Sequence, residues 1–174
     1  PWSMPRTKTP PTYAGLAART AALQPRLRRR RVTVATAESC TGGLLGALLS
    51  EHGGASAVYR GGAIVYANAA KETLADVPPQ LIHAHGAVSG PVALAMVEGV
   101  CGRLGAELGI AVTGIAGPDG GTAEKPVGLV FIATAVKGET AVHRSIFPGD
   151  RSEVRSRATQ SALFRLLQAL SVVK

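Results

Sequence analysis

Ser39 stands in the run Ala37-Glu38-Ser39-Cys40-Thr41-Gly42-Gly43, where a β-branched stretch gives way to two glycines and then to an apolar helical pattern. A hydroxyl at a strand-to-helix turn sits among backbone N–H groups that have no intrahelical partner, at the positive end of a helix dipole. Such donors stabilise an oxyanion or hold a phosphate. Ser39 is placed as a nucleophile would be. The same residues also serve plain structure, with Ser39 and Thr41 capping the helix and the glycines permitting a tight turn. Cys40 is either a thiol nucleophile or a small buried residue. Neither a G-x-S-x-G elbow nor an S-x-x-K motif is present, and no His lies near Ser39 in sequence, so a general base must come from elsewhere.

Tyr66-Ala67-Asn68-Ala69-Ala70-Lys71 offers one. A lysine at the start of a small apolar helix becomes a proton acceptor if burial lowers its pKa, and is otherwise a solvated helix residue. Residues 111–121, with Thr113, Gly114 and Gly117, run from a strand pattern into a glycine-rich loop that is not a Walker A motif, since no G-K-[ST] follows. Such a loop lets backbone approach a ligand closely. Arg151, in Gly149-Asp150-Arg151, can pair with a phosphate or carboxylate, or simply with Asp150. Of the histidines, only His83 and His85 are close together, and there is no H-E-x-x-H or Cys/His cluster, so no metal is expected.

The elements that must position these groups follow from periodicity. Leu16 to Leu27 has helical spacing interrupted by Pro25; Val32 to Ala37 is a strand; Leu44 to Leu49 is a helix opened by Gly42-Gly43. Gly61 to Tyr66 is a second strand, followed by a short helix through Leu74 with Asn68 as its N-cap, stopped by Pro78-Pro79. A helix over Pro91 to Leu104, a strand over Leu108 to Val112 and a structured loop over Ala116 to Pro126 come next. Val127 to Val136 and Thr140 to Phe147 flank a hairpin turn, and Ser152 to Val173 is a long amphipathic helix. Strands alternating with helices, ending in an antiparallel hairpin, predict an α/β fold: a three-layer α/β/α sandwich around a mixed, mostly parallel sheet of about five strands.

Length and composition bound the rest. The chain has 174 residues, of which 46% are hydrophobic; that is one domain with room for a core and no need of disulfides. Residues 1–15, rich in proline, are expected to be a flexible lead-in, and 16–174 the single domain. The formal charge is +8, yet eight of the 19 Lys/Arg lie in residues 1–31 with no acid among them, leaving 11 basic against 11 acidic residues beyond. The excess is therefore a property of one end, centred on Arg26 to Arg31, where arginines suit the negative end of a helix dipole. Nucleic acid is not expected as a partner. With two unpaired cysteines, no secretory pattern and no apolar run long enough to span, a cytoplasmic location and no membrane association are expected. The opening on Pro rather than Met suggests a trimmed chain.

Taken in order, A-E-S-C-T-G-G at 37–43, G-G-x-x-x-Y-A-N-x-x-K at 61–71, H-G-A-V-S at 85–89, T-G-I-A-G-P-D-G-G at 113–121, K-P-V-G-L-V at 125–130 and G-D-R at 149–151 resemble the CinA C-terminal domain family over roughly residues 16–172. The resemblance implies a three-layer sandwich with a five-stranded mixed sheet. It also implies nicotinamide-nucleotide amidase activity: nicotinamide mononucleotide (NMN) and water give nicotinic acid mononucleotide and ammonia, without a cofactor. Larger members carry a further N-terminal domain whose activity does not transfer to these residues. On the family pattern, Ser39 is the nucleophile and Lys71 its activator, Tyr66 and Thr113 complete the polar cluster, and Arg151 faces the substrate. Backbone N–H groups around Thr41, Gly42 and Gly43 would hold the oxyanion, Asn68 would contact the substrate, and Arg151 or a backbone nest including Gly114 and Gly117 would hold the 5′-phosphate. Ala67 departs from the pattern, standing where Ser is frequent. Two other readings accompany this one: a non-enzymatic competence- or damage-associated binding module using the basic end, and an amidase for a related amide. A homo-oligomer is expected, compatible with Arg151 arriving from a neighbour.

Overall fold

A computed structural model describes residues 9–173; most of the expected lead-in, residues 1–8, lies outside the described residues. Five strands form one sheet in the order β2 (Tyr59–Ile64), β1 (Val34–Glu38), β3 (Leu108–Gly114), β4 (Leu129–Val136), β5 (Glu139–Ile146). β1 pairs in parallel with both β2 and β3, while β3–β4 and β4–β5 are antiparallel, so only β4 runs against the rest. Lys137 and Gly138 both take positive φ (49° and 87°) between β4 and β5, the geometry of a tight hairpin turn.

Side-chain alternation assigns the layers. Val34, Leu108, Ile110, Val112, Val130 and Ile132 face α1 (Tyr13–Arg30), α2 (Leu44–Ser50) and α6 (Arg151–Val172). Ala35, Ala37, Ala111, Ala133 and Ala135 face α3 (Asn68–Ala75), α4 (Pro79–His85) and α5 (Gly90–Leu104). Large residues on one face and alanines on the other let α5 settle close to the sheet. A Cβ added at Gly109 would stand 2.7 Å from Val97 Cγ2, and overfilling at such a contact costs about 1–3 kcal/mol.

Three expected elements change. α1 starts at Tyr13, capped by Thr12, and runs through Pro25 to Arg30. Pro25 and Ala21, whose carbonyl loses its partner, are both exposed, so water replaces the missing bond. Asn68 is not the N-cap of α3: that position is the extended Ala67, without a side-chain cap. Finally, Pro78-Pro79 does more than end a helix. α3 ends before Asp76, in the left-handed region, and Pro79 opens α4, where a fixed φ and a missing N–H are tolerated.

The connection from β1 to β2 runs through α2 on one face, and that from β2 to β3 runs through α3–α5 on the other. Neighbouring strands whose connections leave in opposite directions open a crevice at their carboxyl ends. β5 points the same way, so α6 begins at that same edge.

Candidate active site

At this edge a cavity of about 180 Å³ is lined by Ser39, Cys40, Tyr66, Asn68, Lys71, Thr113, Gly114 and Arg151, among others. Ser39 continues β1, its N–H donating to Val112 O at 2.9 Å. Lys71, on α3, is 1% exposed and pairs with no carboxylate among the described residues. Its Nζ lies 2.8 Å from Val65 O, 3.1 Å from Tyr66 O and 3.3 Å from Ser39 Oγ. Burial lowers its pKa below the ordinary lysine value. As an ammonium it donates to all three; once deprotonated it keeps two hydrogens for the carbonyls and offers its lone pair to the Ser39 hydroxyl proton.

Cys40 is also buried, but burial pushes its thiol up to about 12, so it is protonated at neutral pH and a poor nucleophile. Thr113 donates to Ala87 O at 2.9 Å, fastening the end of β3 to the turn before α5. Arg151 Nη2 donates to Tyr66 Oη and Nη1 to Gly117 O, both at 2.8 Å. That leaves the Tyr66 hydroxyl hydrogen for a ligand. Arg151 reaches Tyr66 within one chain, so no neighbouring copy is needed to supply it, and Asp150 is engaged otherwise, in a capping box with Glu153.

The oxyanion donors differ from expectation. Gly42 N–H closes a turn onto Ser39 O at 3.0 Å. The Glu38 carboxylate, itself buried, accepts from the N–H groups of Gly43, Leu45 and Gly46 at 3.0, 3.0 and 2.8 Å. The start of α2 is thus filled by an anion of the chain's own. Gly42 and Gly43 serve through positive φ (61° and 97°) rather than as donors, and Thr41 to Gly43 do not line the cavity. Among the described residues, the N–H groups of Cys40 and Thr41 have no carbonyl or carboxylate partner. The glycine-rich loop is likewise used internally. Ile115 N–H donates to Leu129 O, and Gly114 lets the chain pass Val130 Cγ2 and Leu129 O, which an added Cβ would meet at 2.7 and 2.8 Å.

Several contributors escaped the sequence reading. Ala87 and Val88 line the cavity, and Lys125 Nζ holds their turn by donating to His85 O and Val88 O at 2.6 and 2.9 Å; H-G-A-V-S and K-P-V-G-L-V carried the signal without a role. Arg155, one turn after Arg151 on α6, donates to Cys40 O and Thr41 O. An i, i+4 arginine pair at a helix start could have drawn attention to it. A second cavity, of about 540 Å³, shares Ala116 and Arg151 with the first and is otherwise lined by Pro118, Val127, Gly149, Asp150, Ser152 and Arg155. Among the described residues, no group of three or more His, Cys, Asp or Glu side chains could hold a metal ion, and no helix is long and apolar enough to cross a membrane.

A family model described as the CinA C-terminal domain matches residues 17–170. A CinA-like protein of Gemmatimonas aurantiaca is 54% identical over 142 residues, covering 82% of this chain and 33% of that protein. The chain thus spans about a third of the length of such curated relatives. Among solved structures, the competence damage-inducible protein A of Klebsiella pneumoniae superposes with a TM-score of 0.88 at 34% identity, covering 91% of this chain and 99% of that one. The competence/damage inducible protein CihA of Agrobacterium tumefaciens gives 0.86 at 38% identity, covering 94% and 99%.

Proposed function

Because the chain belongs to the CinA C-terminal domain family, we propose that it hydrolyses the carboxamide of nicotinamide mononucleotide, with Ser39 as nucleophile and Lys71 as base. The observation that carries this reading is the buried Lys71 Nζ, 3.3 Å from Ser39 Oγ, with Val65 O and Tyr66 O in its other bonding directions. The family resemblance supplies the substrate.

The Ser39 proton passes to the Lys71 lone pair as Oγ bonds to the carboxamide carbon. The resulting oxyanion lies beside the N–H of Cys40, the residue after Ser39 in the cavity lining, and Lys71 returns the proton to the amide nitrogen as the C–N bond breaks and ammonia leaves. A water then attacks the acyl ester, giving a proton to Lys71 that passes to the departing Ser39 oxygen and leaves the free acid. A neutral Lys71 also avoids repelling the cationic pyridinium ring of this substrate. The 180 Å³ cavity is below the ~300–1,000 Å³ of sites for drug-sized ligands. It suits one ring and its carboxamide. The adjoining 540 Å³ cavity, with Arg151 between the two and Arg155 on its wall, takes the ribose and 5′-phosphate. A pure binding module has no use for a buried, unpaired lysine against a serine.

The test is ammonia and nicotinic acid mononucleotide formation from NMN, in EDTA, by the wild-type chain and by Ser39→Ala. Turnover that survives EDTA and vanishes in the variant is the expected result; a folded wild-type chain without turnover would overturn the substrate assignment.

A further inference from the structure

Arg155 has no role in the chemistry set out above, yet it is the side chain that grips the residues immediately after the nucleophile. Its Nε donates to Cys40 O at 3.1 Å and its Nη2 to Thr41 O at 3.0 Å. Both accepting residues are buried, so water is no ready alternative partner; Thr41 O also accepts from Leu44 N–H at 3.4 Å, whereas Cys40 O has no other partner among the described residues. They also belong to the turn closed by Gly42 N–H onto Ser39 O.

The central peptide of such a turn, between Cys40 and Thr41, stands across the turn and can flip without breaking the closing bond. A trans peptide points its C=O and N–H in opposite directions. Holding Cys40 O against α6 therefore holds Thr41 N–H on the opposite face. Holding Thr41 O does the same for Gly42 N–H, which is found on Ser39 O. Beyond the turn, the Glu38 carboxylate grips Gly43, Leu45 and Gly46. The two clamps have opposite charge and divide the work: arginine holds the carbonyls and glutamate the N–H groups. Among the described residues, the N–H of Cys40, next to the nucleophile, and that of Thr41 have no carbonyl or carboxylate partner, and the buried Thr41 Oγ1 has no hydrogen-bond partner.

We infer that Arg155 is a positioning residue: by fixing the Cys40 and Thr41 carbonyls, it sets the turn after Ser39 so that the Cys40 N–H stays free for a developing oxyanion and Ser39 Oγ stays within reach of Lys71. The inference rests on the Ser39–Lys71 reading above but not on the identity of the amide. Gly42 fits the same device. Its added Cβ would stand 3.3 Å from Arg155 Nη2, and its φ is +61°, so bare backbone at this position lets the guanidinium lie flat against the turn.

The experiment measures the rate at which a fluorophosphonate probe labels Ser39, across pH, in the wild type, Arg155→Met and Arg155→Lys, with Ser39→Ala as the blank. For Arg155→Met the expected result is a labelling plateau lower by about 10²-fold, the size of effect that misplacing a reacting group produces. The pH at half-maximal rate should stay where the wild type has it, because Lys71 is untouched. Arg155→Lys, able to reach one carbonyl at a time, should fall between, and it replaces the Met variant if that chain does not fold. Labelling of either folded variant at the wild-type rate overturns the inference, as does a shift of the pH midpoint in step with the rate, which would mean that the whole site had loosened. If Ser39 is labelled in the wild type but NMN is not hydrolysed, the substrate assignment fails while the Arg155 inference is still decided by the labelling rates. If the wild-type Ser39 is not labelled at all, both fail.

Discussion

Two strands side by side, β1 and β3, each end in a hydroxyl followed by glycines, and the two ends have different fates. After β1, Ser39 faces a buried amine, and the glycines allow a turn whose groups are clamped by Glu38 and Arg155. After β3, Thr113 gives its hydrogen to Ala87 O, and Gly114 is there so that the chain can pass Val130 and Leu129. A hydroxyl among glycines thus carries no fixed meaning. On the proposed function one end reacts while the other holds the wall opposite it, and what separates them is the neighbour each hydroxyl meets across the crevice.

The sharpest way to break the comparison is to exchange the hydroxyls for inert groups. Ser39→Ala should remove NMN turnover by more than about 10³-fold, whereas Thr113→Val should lower kcat on the order of tenfold, the equivalent of ~1.4 kcal/mol. Equal losses in an ammonia-release assay would mean that the two ends share the chemistry. Lys71→Met should match Ser39→Ala in activity while acting oppositely on stability. Burial lowers the Lys71 pKa, so between that value and the ordinary one the folded chain binds fewer protons than the unfolded chain and stability rises with pH; below that window the fold carries a buried ammonium. The variant should therefore melt higher than wild type at neutral pH, with the gain shrinking to nothing as pH rises to the ordinary lysine value. Wild-type kcat/KM should rise with pH as Lys71 loses its proton. A variant that melts lower at neutral pH would show that the lysine contributes to stability.

Smaller effects test the backbone of each turn. Glu38→Gln presents an amide NH₂ where α2 donates three N–H groups, and should cost about 2–3 kcal/mol in urea unfolding; a loss under 0.5 kcal/mol would mean that water serves α2 as well. Gly114→Ala should cost about 1–3 kcal/mol through overfilling, with kcat changed less than by Thr113→Val. A larger loss of activity than of stability would make this loop part of the reacting site.

The three-layer fold was legible because its strands and helices keep their periods, and the β4–β5 hairpin because Lys137-Gly138 is a turn signal. Ser39 and Lys71 were legible as a strand-end hydroxyl and a lysine on an apolar helix, and the family motifs joined them. What was not legible depended on direction. Pro79 reads equally as a stop and as a start, and its role is set by where Asp76 turns the chain. Gly42 and Gly43 read as anion donors because the sequence does not show that Glu38, at the end of the strand before them, aims its carboxylate at the start of α2. Beyond its spacing from Arg151, nothing in the sequence separates Arg155 from Arg157 and Arg165 on the same helix. Only the return of α6 to the carboxyl edge of the sheet brings it against Cys40 and Thr41.

Three contacts of the site join residues far apart in sequence: Ser39 and Lys71 are 32 residues apart, Tyr66 and Arg151 are 85 apart, and Cys40 and Arg155 are 115 apart. During synthesis, the chain through α5 can emerge from the ribosome and begin to pack while the turn after β1 still lacks its arginine and Tyr66 its partner. On the proposed function, the site is completed by the last of the described helices to be made. A nascent chain would then be inactive until α6 has cleared the exit tunnel, and in refolding the recovery of activity would report the docking of that helix rather than the collapse of the sheet.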